Sequence, residues 1–171
     1  MTLGTVQVMS KFPSKEAIIR AVVEDLQTQL RQAAAALDHA QTAATEDEAR
    51  PENRYDTRAL EMSYLAAAHT ERTEAVRRCL THLHFWQPPL LLDAVAPGAL
   101  VQLSGDRVPE LVFIVPVGVG QTLKLPGAVV HVLSAQSPLA VALLGKQAGD
   151  DVEFFAGGQR RELQIVAVDP A

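Results

Sequence analysis

The first half of the chain repeats apolar positions at alternating steps of four and three residues. One series is Ile19, Val23, Leu26, Leu30, Ala33, Leu37, Ala40 and Ala44, and the other is Tyr55, Ala59, Met62, Ala66, His69, Thr73, Val76 and Leu80. Steps of four and three average 3.5 residues, which is the repeat of a coiled-coil seam. The pattern therefore predicts two long helices, each with one stripe that faces a partner.

The two series are related as the arms of an antiparallel hairpin. When they are paired from the outermost residues, Ile19 and Leu80, to the innermost, every pair of residue numbers has the sum 99. A constant sum arises when each step along one arm is a step back along the other. The bend is predicted between Ala49 and Arg50, although some apolar residues, Val22 among them, lie off this register.

The predicted bend is rich in carboxylates. Residues 46–56 contain five acidic residues and two arginines, a formal net charge of −3. An arm from Ile19 to Ala49 would be roughly 45 Å long at ~1.5 Å per residue. Pro51 and Glu52 also suit the first turn of a helix, which tolerates a missing N–H and favours negative charge. Two interpretations stay open: a solvated helix start, or a probe that delivers acids into a deep site.

Three arginines lie along the returning arm: Arg54, Arg58 and Arg72. Arg54 and Arg58 are one helical step apart and therefore share a face. We expect either a basic face that suits RNA or acidic protein walls, or ordinary solvated arginines that pair with Glu61 and its neighbours.

The helical pattern stops near Trp86, and Gln87-Pro88-Pro89 is typical of a linker. Short β-rich segments follow, with strands predicted at residues 99–103, 111–117, 129–133, 151–155 and 160–168. Ser137-Pro138 predicts the start of a short helix, and Gly145 predicts its end. The predicted core residues are Phe113, Leu139, Leu143 and Ile165.

These patterns predict an α+β chain with two parts. The first is an antiparallel coiled-coil hairpin over residues 1–86, with its tip near 46–56. A linker over residues 87–98 leads to a second domain over residues 99–171, an antiparallel sheet with one short helix on its face.

Composition narrows the class of protein. A formal net charge of −5 argues against non-specific binding to naked nucleic acid. The single cysteine, Cys79, excludes an internal disulfide and suits a reducing compartment; we expect it to act as a small buried hydrophobe. The chain lacks a signal-peptide pattern and a run of about 18 apolar residues. We therefore expect a cytoplasmic protein.

The sequence contains no convincing catalytic constellation. Gly118-x-Gly120 lacks the strand–helix context and third glycine of a dinucleotide-binding loop and is interpreted as a turn. His82 and His84 are two residues apart and have no cysteine pair beside them, which disfavours a zinc site. We expect no enzymatic activity from the chain alone.

Residues 137–153, SPLAVALLGKQAGDDVE, closely resemble the C-terminal signature of the bacterial Gre (GreA/GreB) transcript elongation factors. The resemblance extends from about residue 14 to residue 168. At the predicted tip, Glu52-Asn53 followed by Tyr55 is similar to the family's Glu-Asn-x-x-Tyr, with one residue fewer before the tyrosine. The resemblance implies a coiled-coil hairpin followed by a C-terminal domain of FKBP-like fold.

The resemblance also implies a partner and a mechanism. Gre hairpins enter the secondary channel of bacterial RNA polymerase, while the globular domain holds the channel rim. Acids at the tip, here Glu52, Glu48 and Asp47, would help retain a Mg²⁺ that the polymerase holds incompletely, so that the polymerase cleaves backtracked nascent RNA. No cofactor of the chain's own is implied, because the Mg²⁺ is shared only in the complex. No membrane partner and no direct sequence-specific DNA binding are expected.

The tip departs from the family at one position. The family has an aspartate three positions before its tip glutamate, and here that position is Ala49, with Glu48 adjacent. The chain is therefore expected either to stimulate cleavage or to modulate polymerase without cleavage. Two alternatives from other classes are a peptidyl-prolyl isomerase, suggested by the FKBP-like fold, and a coiled-coil chaperone. Only three aromatic residues, Phe113, Phe154 and Phe155, follow Trp86 to line a proline pocket.

Overall fold

The computed structural model describes residues 12–47, 57–106, 110–118 and 120–170, with the side chains of 37–47 and 57–69 outside the description. Its elements in chain order are α1 (Lys15–Asp47), α2 (Thr57–Phe85), β1 (Leu100–Gly105), β2 (Leu111–Val115), β3 (Gln121–Leu125), β4 (Ala128–Ser134), α3 (Pro138–Leu143), β5 (Asp151–Ala156) and β6 (Gln159–Val168). Two long helices thus precede a sheet with one short helix, which confirms the predicted fold class.

The chain divides into two compact units. The helical unit comprises Val23–Trp86, and the sheet unit comprises the residues up to Val22 together with those from Gln87 onward. The helix α1 therefore begins in the sheet unit and continues in the helical unit. This division differs from the one expected from sequence, which assigned everything before the linker to the hairpin.

The helical unit buries side chains from both helices. Leu26, Val76, Cys79 and Leu83 are each less than 5% exposed. Leu26 and Val76 belong to the predicted stripes, and Cys79 is buried as expected. The predicted bend lies outside the described residues, as do the side chains of the stripes between Leu37 and His69. The described helices stop at Asp47 and resume at Thr57.

The predicted stripe is one residue out of register in the first turns of α1. Ile18 and Val22 are buried, whereas the predicted Ile19 and Val23 are only half-buried. Ile18 and Val22 belong to the sheet unit. The 3.5-residue pattern assumed that a single partner helix decides which face is buried. That assumption fails where the helix starts within a different unit.

The six strands form one sheet in the order β3-β4-β2-β1-β6-β5. Every neighbouring pair is antiparallel except β2 and β4, which are parallel. The sheet is therefore mixed, where the sequence analysis expected an antiparallel one. The strand β3 was not predicted: it is a short edge strand with only one buried residue, Leu123, so its apolar pattern is weak.

The main core lies between α3 and one face of the sheet. It includes Val112 and Ile114 of β2 together with Leu139, Leu143 and Ile165. Successive strand residues alternate between faces, so Phe113 belongs to the opposite face. There Phe113 is fully buried and in register with Leu100 and Val132. All four predicted core residues are thus confirmed, and they divide between two faces.

The local signals around α3 and the last hairpin act as predicted. The Ser137 hydroxyl accepts a hydrogen bond from the Ala140 N–H at the start of α3, and Gly145 follows the end of the helix with φ +78°. The strands β5 and β6 are joined through Gly157 and Gly158, at φ +60° and +76°. Two successive positive φ values are those of a type I′ hairpin turn, which glycine adopts without a steric penalty.

Gln121 carries a buried amide without a hydrogen bond. It lies on the same face as Leu123 and in register with Val132. Its Oε1 and Nε2 atoms are both buried, and neither has a hydrogen-bond partner among the described residues. A buried polar group without a partner costs roughly 1–3 kcal/mol of stability.

Gln121→Leu is therefore expected to stabilise the chain by about 1–2 kcal/mol, because it removes the unpaired amide and keeps a side chain of similar size. Thermal and urea unfolding would measure the change. The matched control is Gln164→Leu on β6, where the side chain is exposed and little change is expected. A loss of stability in Gln121→Leu alone would show that the amide does have a bonding partner.

Candidate functional site

The predicted tip acids lie at and beyond the described end of α1. Asp47 is the last residue of this helix, and its side chain is outside the description. Glu48 and Glu52 lie outside the described residues. The assignment of these three acids to the tip and to the polymerase site therefore stays a prediction from the sequence. The structure does describe the helix that leads to these acids. The helix α1 has 33 residues, which corresponds to roughly 50 Å at ~1.5 Å per residue, and it ends at Asp47.

The three predicted arginines differ in how far they are described. Arg54 lies outside the description, and Arg58 is in the first turn of α2 with its side chain outside it. Arg72 is an exposed residue of α2. The proposed basic face of Arg54 and Arg58 stays a prediction. Of the three arginines, Arg72 is the one whose side chain and neighbours the structure describes.

Arg72 lies beside a groove between the two helices. The groove has a volume of about 310 Å³. Its lining comes from both helices: Gln29, Leu30, Gln32, Ala33 and Ala36 of α1, and Arg72, Thr73 and Val76 of α2. A middle section of α1 thus lies beside the second half of α2. The small side chains of Ala33 and Ala36 leave the space that forms the groove.

The signature run at residues 137–153 mainly shapes the loop after α3. The Gly145 N–H donates to Val95 O, and the Val95 N–H donates to Lys146 O. The Gly149 N–H donates to Ile165 O, at a φ of +92° for Gly149. These bonds fasten the loop to the segment before β1 and to β6. The glycines of the run are therefore explained by the conformation and hydrogen bonds of this loop. Within the same run, the buried face of α3 is formed by Leu139, Ala140 and Leu143.

A largely buried ion pair joins the two ends of the sheet unit. The Lys15 ammonium lies 2.6 Å from Asp169 Oδ2, and the two side chains are 13% and 4% exposed. Lys15 Nζ also donates to Pro89 O at 2.6 Å. Asp169 Oδ1 accepts from the Leu100 N–H at 2.8 Å. We call these four residues, Lys15, Pro89, Leu100 and Asp169, the clasp.

The sequence analysis missed the clasp. Lys15 and Asp169 are 154 positions apart, so no local spacing connects them. Asp169 has φ +47°, a left-handed conformation that aspartate tolerates better than most residues. Its own N–H donates to Leu100 O at 2.7 Å. The carboxylate therefore completes a pairing between the end of β6 and the start of β1, and this pairing is visible only in the folded sheet.

Neither a metal centre nor a membrane helix is found in the described parts of the chain. The described residues contain no group of three or more His, Cys, Asp or Glu side chains that could hold a metal ion. The described helices include none with an apolar stretch of membrane-spanning length.

The aromatic residues considered for a proline pocket do not come together. Phe113 is fully buried and Phe154 is 7% exposed, so neither can line an open cavity. Phe155 alternates with Phe154 along β5 and is 69% exposed. The structure thus gives no support to an aromatic-lined isomerase site built from these three residues.

Comparison with known proteins identifies the C-terminal segment. Residues 126–170 match the family described as "Transcription elongation factor, GreA/GreB, C-term". The match begins just before β4 and includes α3, β5 and β6. A comparison with curated protein sequences gives no significant match.

Several solved structures match over most of the chain. They include the transcription factor Gfh1, Gfh1 of Thermus aquaticus and GreA factor homolog 1 (Gfh1) of Thermus thermophilus. Each is 22% identical to the chain; the matches cover 86%, 87% and 85% of this chain and 93%, 94% and 93% of those chains, with TM-scores of 0.35, 0.36 and 0.35. The match to the GreA/GreB family is shown for residues 126–170, in the C-terminal part of the chain.

Proposed function

We propose that the chain binds bacterial RNA polymerase and acts through its helical hairpin in the polymerase secondary channel. The observation that carries the proposal is the order of the parts: two helices of 33 and 29 residues precede a domain that matches the GreA/GreB C-terminal family. The connection between the two helices, at residues 48–56, contains three acids, Glu48, Glu52 and Asp56, and two arginines.

In the proposed complex the chain has two tasks. The sheet unit binds the outside of the polymerase, and the helices carry the acids near Glu52 towards the active site. Mg²⁺ shared with the polymerase would supply charge stabilisation for phosphodiester cleavage when bound. The chain's own part is to present carboxylate oxygens, the ligands that Mg²⁺ prefers. It has no catalytic activity alone in this proposal, and its site of action is the cytoplasm.

Ala49 determines which of two forms of this function we favour. A single glutamate retains a weakly held ion less well than two acids do, and the family's partner aspartate is replaced by alanine here. We therefore propose weak or no stimulation of cleavage, with modulation of polymerase by occupation of the channel as the main action. Nascent RNA would be met only within this complex.

Cleavage in backtracked elongation complexes tests the proposal. The wild-type chain is expected to bind core polymerase and to release few short 3′ RNA fragments. Ala49→Asp is expected to raise that release about tenfold, because a second carboxylate holds the shared ion more firmly.

Two other outcomes would change the conclusion. A chain that does not co-elute with polymerase would overturn the proposed function as a whole. Binding with no cleavage by either the wild type or Ala49→Asp would leave occupation of the channel as the sole action. In that case the chain should compete with cleavage factors of the same shape.

A further inference from the structure

We infer that Lys15 and Asp169 are positioning residues for the action on polymerase. In this role the clasp holds the first turn of α1 and the linker after α2 in a fixed relation to the end of the sheet. The inference rests on the proposed function, but its structural part can be tested without polymerase.

Two segments of the chain connect the two units, and each of them carries a residue of the clasp. One connection is α1 itself, which starts at Lys15 and leaves the sheet unit after Val22. The other is the linker that begins at Gln87 and contains Pro89. Lys15 Nζ is bonded to both Asp169 and Pro89, so a single side chain ties the two connections to the last strand.

The part of the linker directly after Pro89 is exposed. Leu90 and Leu91 follow Pro89 directly and are 92% and 72% exposed, so apolar burial does not hold them. Pro89 is held instead by the bond from Lys15 and by close packing on Gly98. A Cβ at Gly98 would lie 2.8 Å from Pro89 Cδ, which is too close for a side chain. Gly98 also has φ +99°, a conformation that residues with a side chain rarely adopt.

Because this ion pair is largely buried, its loss should affect the local structure more than the loss of a surface ion pair would. Exposed pairs contribute little because water and salt screen them. Here the Asp169 side chain is 4% exposed, and its two oxygens have different partners, Lys15 and the Leu100 N–H. Removal of Lys15 leaves a nearly buried carboxylate with one partner fewer. The position of α1 at its start therefore depends on this contact.

Position matters for the proposed function because the acids act far from their support. The tip is separated from Lys15 by the whole length of α1, so a small change at the base becomes a larger displacement at the far end. Displacement of an active group by about 1 Å costs up to ~10²-fold in the rate that it supports. We therefore expect loss of the clasp to reduce the action on polymerase more than the affinity.

Two variants break the ion pair of the clasp from its two sides. Lys15→Met removes the charge and both donated bonds while keeping much of the apolar stem. Asp169→Asn removes the negative charge but keeps an oxygen for the Leu100 N–H, and asparagine tolerates a positive φ. Lys15→Arg keeps the charge and several donors. Lys124→Met, at an exposed position of β3, is the matched control for loss of a lysine.

The first measurement is hydrogen exchange of the linker amides in the free chain. Lys15→Met and Asp169→Asn are both expected to raise exchange of the Gly98 amide, which packs next to Pro89 and donates to Ile114 O, about tenfold. Lys15→Arg and Lys124→Met should stay close to wild type. The Leu100 amide is expected to stay protected in Asp169→Asn. Exchange in Lys15→Met that matches wild type would show that the clasp does not hold the linker.

The second measurement is a titration of polymerase with each variant. It separates the affinity for polymerase from the maximal effect of the bound chain on transcription. In Lys15→Met the concentration for half-maximal effect should stay within about twofold of wild type, while the maximal effect falls about tenfold. Lys15→Arg should recover most of it. An unchanged maximal effect in both Lys15→Met and Asp169→Asn would overturn the positioning role. A wild-type chain without any effect would instead overturn the proposed function, and the exchange experiment would still decide whether the clasp holds the linker.

Discussion

Replacing Leu26 by aspartate is expected to unfold the helical unit. Leu26 is 1% exposed and lies on the predicted stripe of α1. Truncation of a buried leucine to alanine costs roughly 2–5 kcal/mol, and a buried carboxylate without a partner costs more. The loss is comparable with the whole stability of a small domain, about 5–15 kcal/mol. Far-UV circular dichroism at 25 °C should show a large loss of helix, and the melting transition should move down or disappear.

The neighbouring residue supplies the control for Leu26→Asp. Gln27 is exposed on the same turn, so Gln27→Asp introduces the same charge with the same helix propensity but without burial. It should stay within about 0.5 kcal/mol of wild type. If Leu26→Asp also melts like the wild type, Leu26 is not a packing residue of the helical unit.

Glu52→Gln is expected to abolish any RNA cleavage that the chain stimulates, in the wild-type or the Ala49→Asp background. The carboxamide has the same size and keeps a neutral oxygen, but it lacks the charge that makes the group a good Mg²⁺ ligand. Binding to polymerase should be unchanged, because other parts of the chain provide it. Release of short 3′ RNA fragments measures the first effect, and competition for polymerase measures the second.

The controls for Glu52→Gln come from acids elsewhere in the chain. Glu110→Gln changes an exposed acid of the sheet unit and should leave cleavage unaltered. Strong cleavage that survives Glu52→Gln would contradict the role assigned to Glu52. Glu48 and Asp47 would then be the acids to change next.

Local chemistry explains the parts of the fold that the sequence predicted well. The Ser137 cap, the stop at Gly145 and the turn at Gly157 each depend on residues within a few positions of one another. The same is true of the long helices, whose apolar spacing repeats over several turns. Such features are decided by nearby bonds and by backbone preferences, so a single sequence contains the information needed.

Features that depend on distant partners were not predictable in the same way. The parallel pairing of β2 with β4 follows from the strand order of the sheet, and no local pattern encodes that order. The contact of Lys15 with Asp169 connects opposite ends of the sheet unit. The shift from Ile19 to Ile18 arose because α1 starts in one unit and continues in another. The predicted tip acids are a different case, because their geometry lies outside the described residues.

The position of β1 in the sheet has a consequence for the order of folding during synthesis. β1 lies between β2 and β6, and its register joins Leu103 with Ile165. One edge of β1 therefore stays without a neighbour until the last strand has left the ribosome. Pairings of such long sequence separation are slow to form, and an open strand edge invites association with other chains. Chains that stop before β6 should accordingly aggregate, and chaperones should be needed most late in translation.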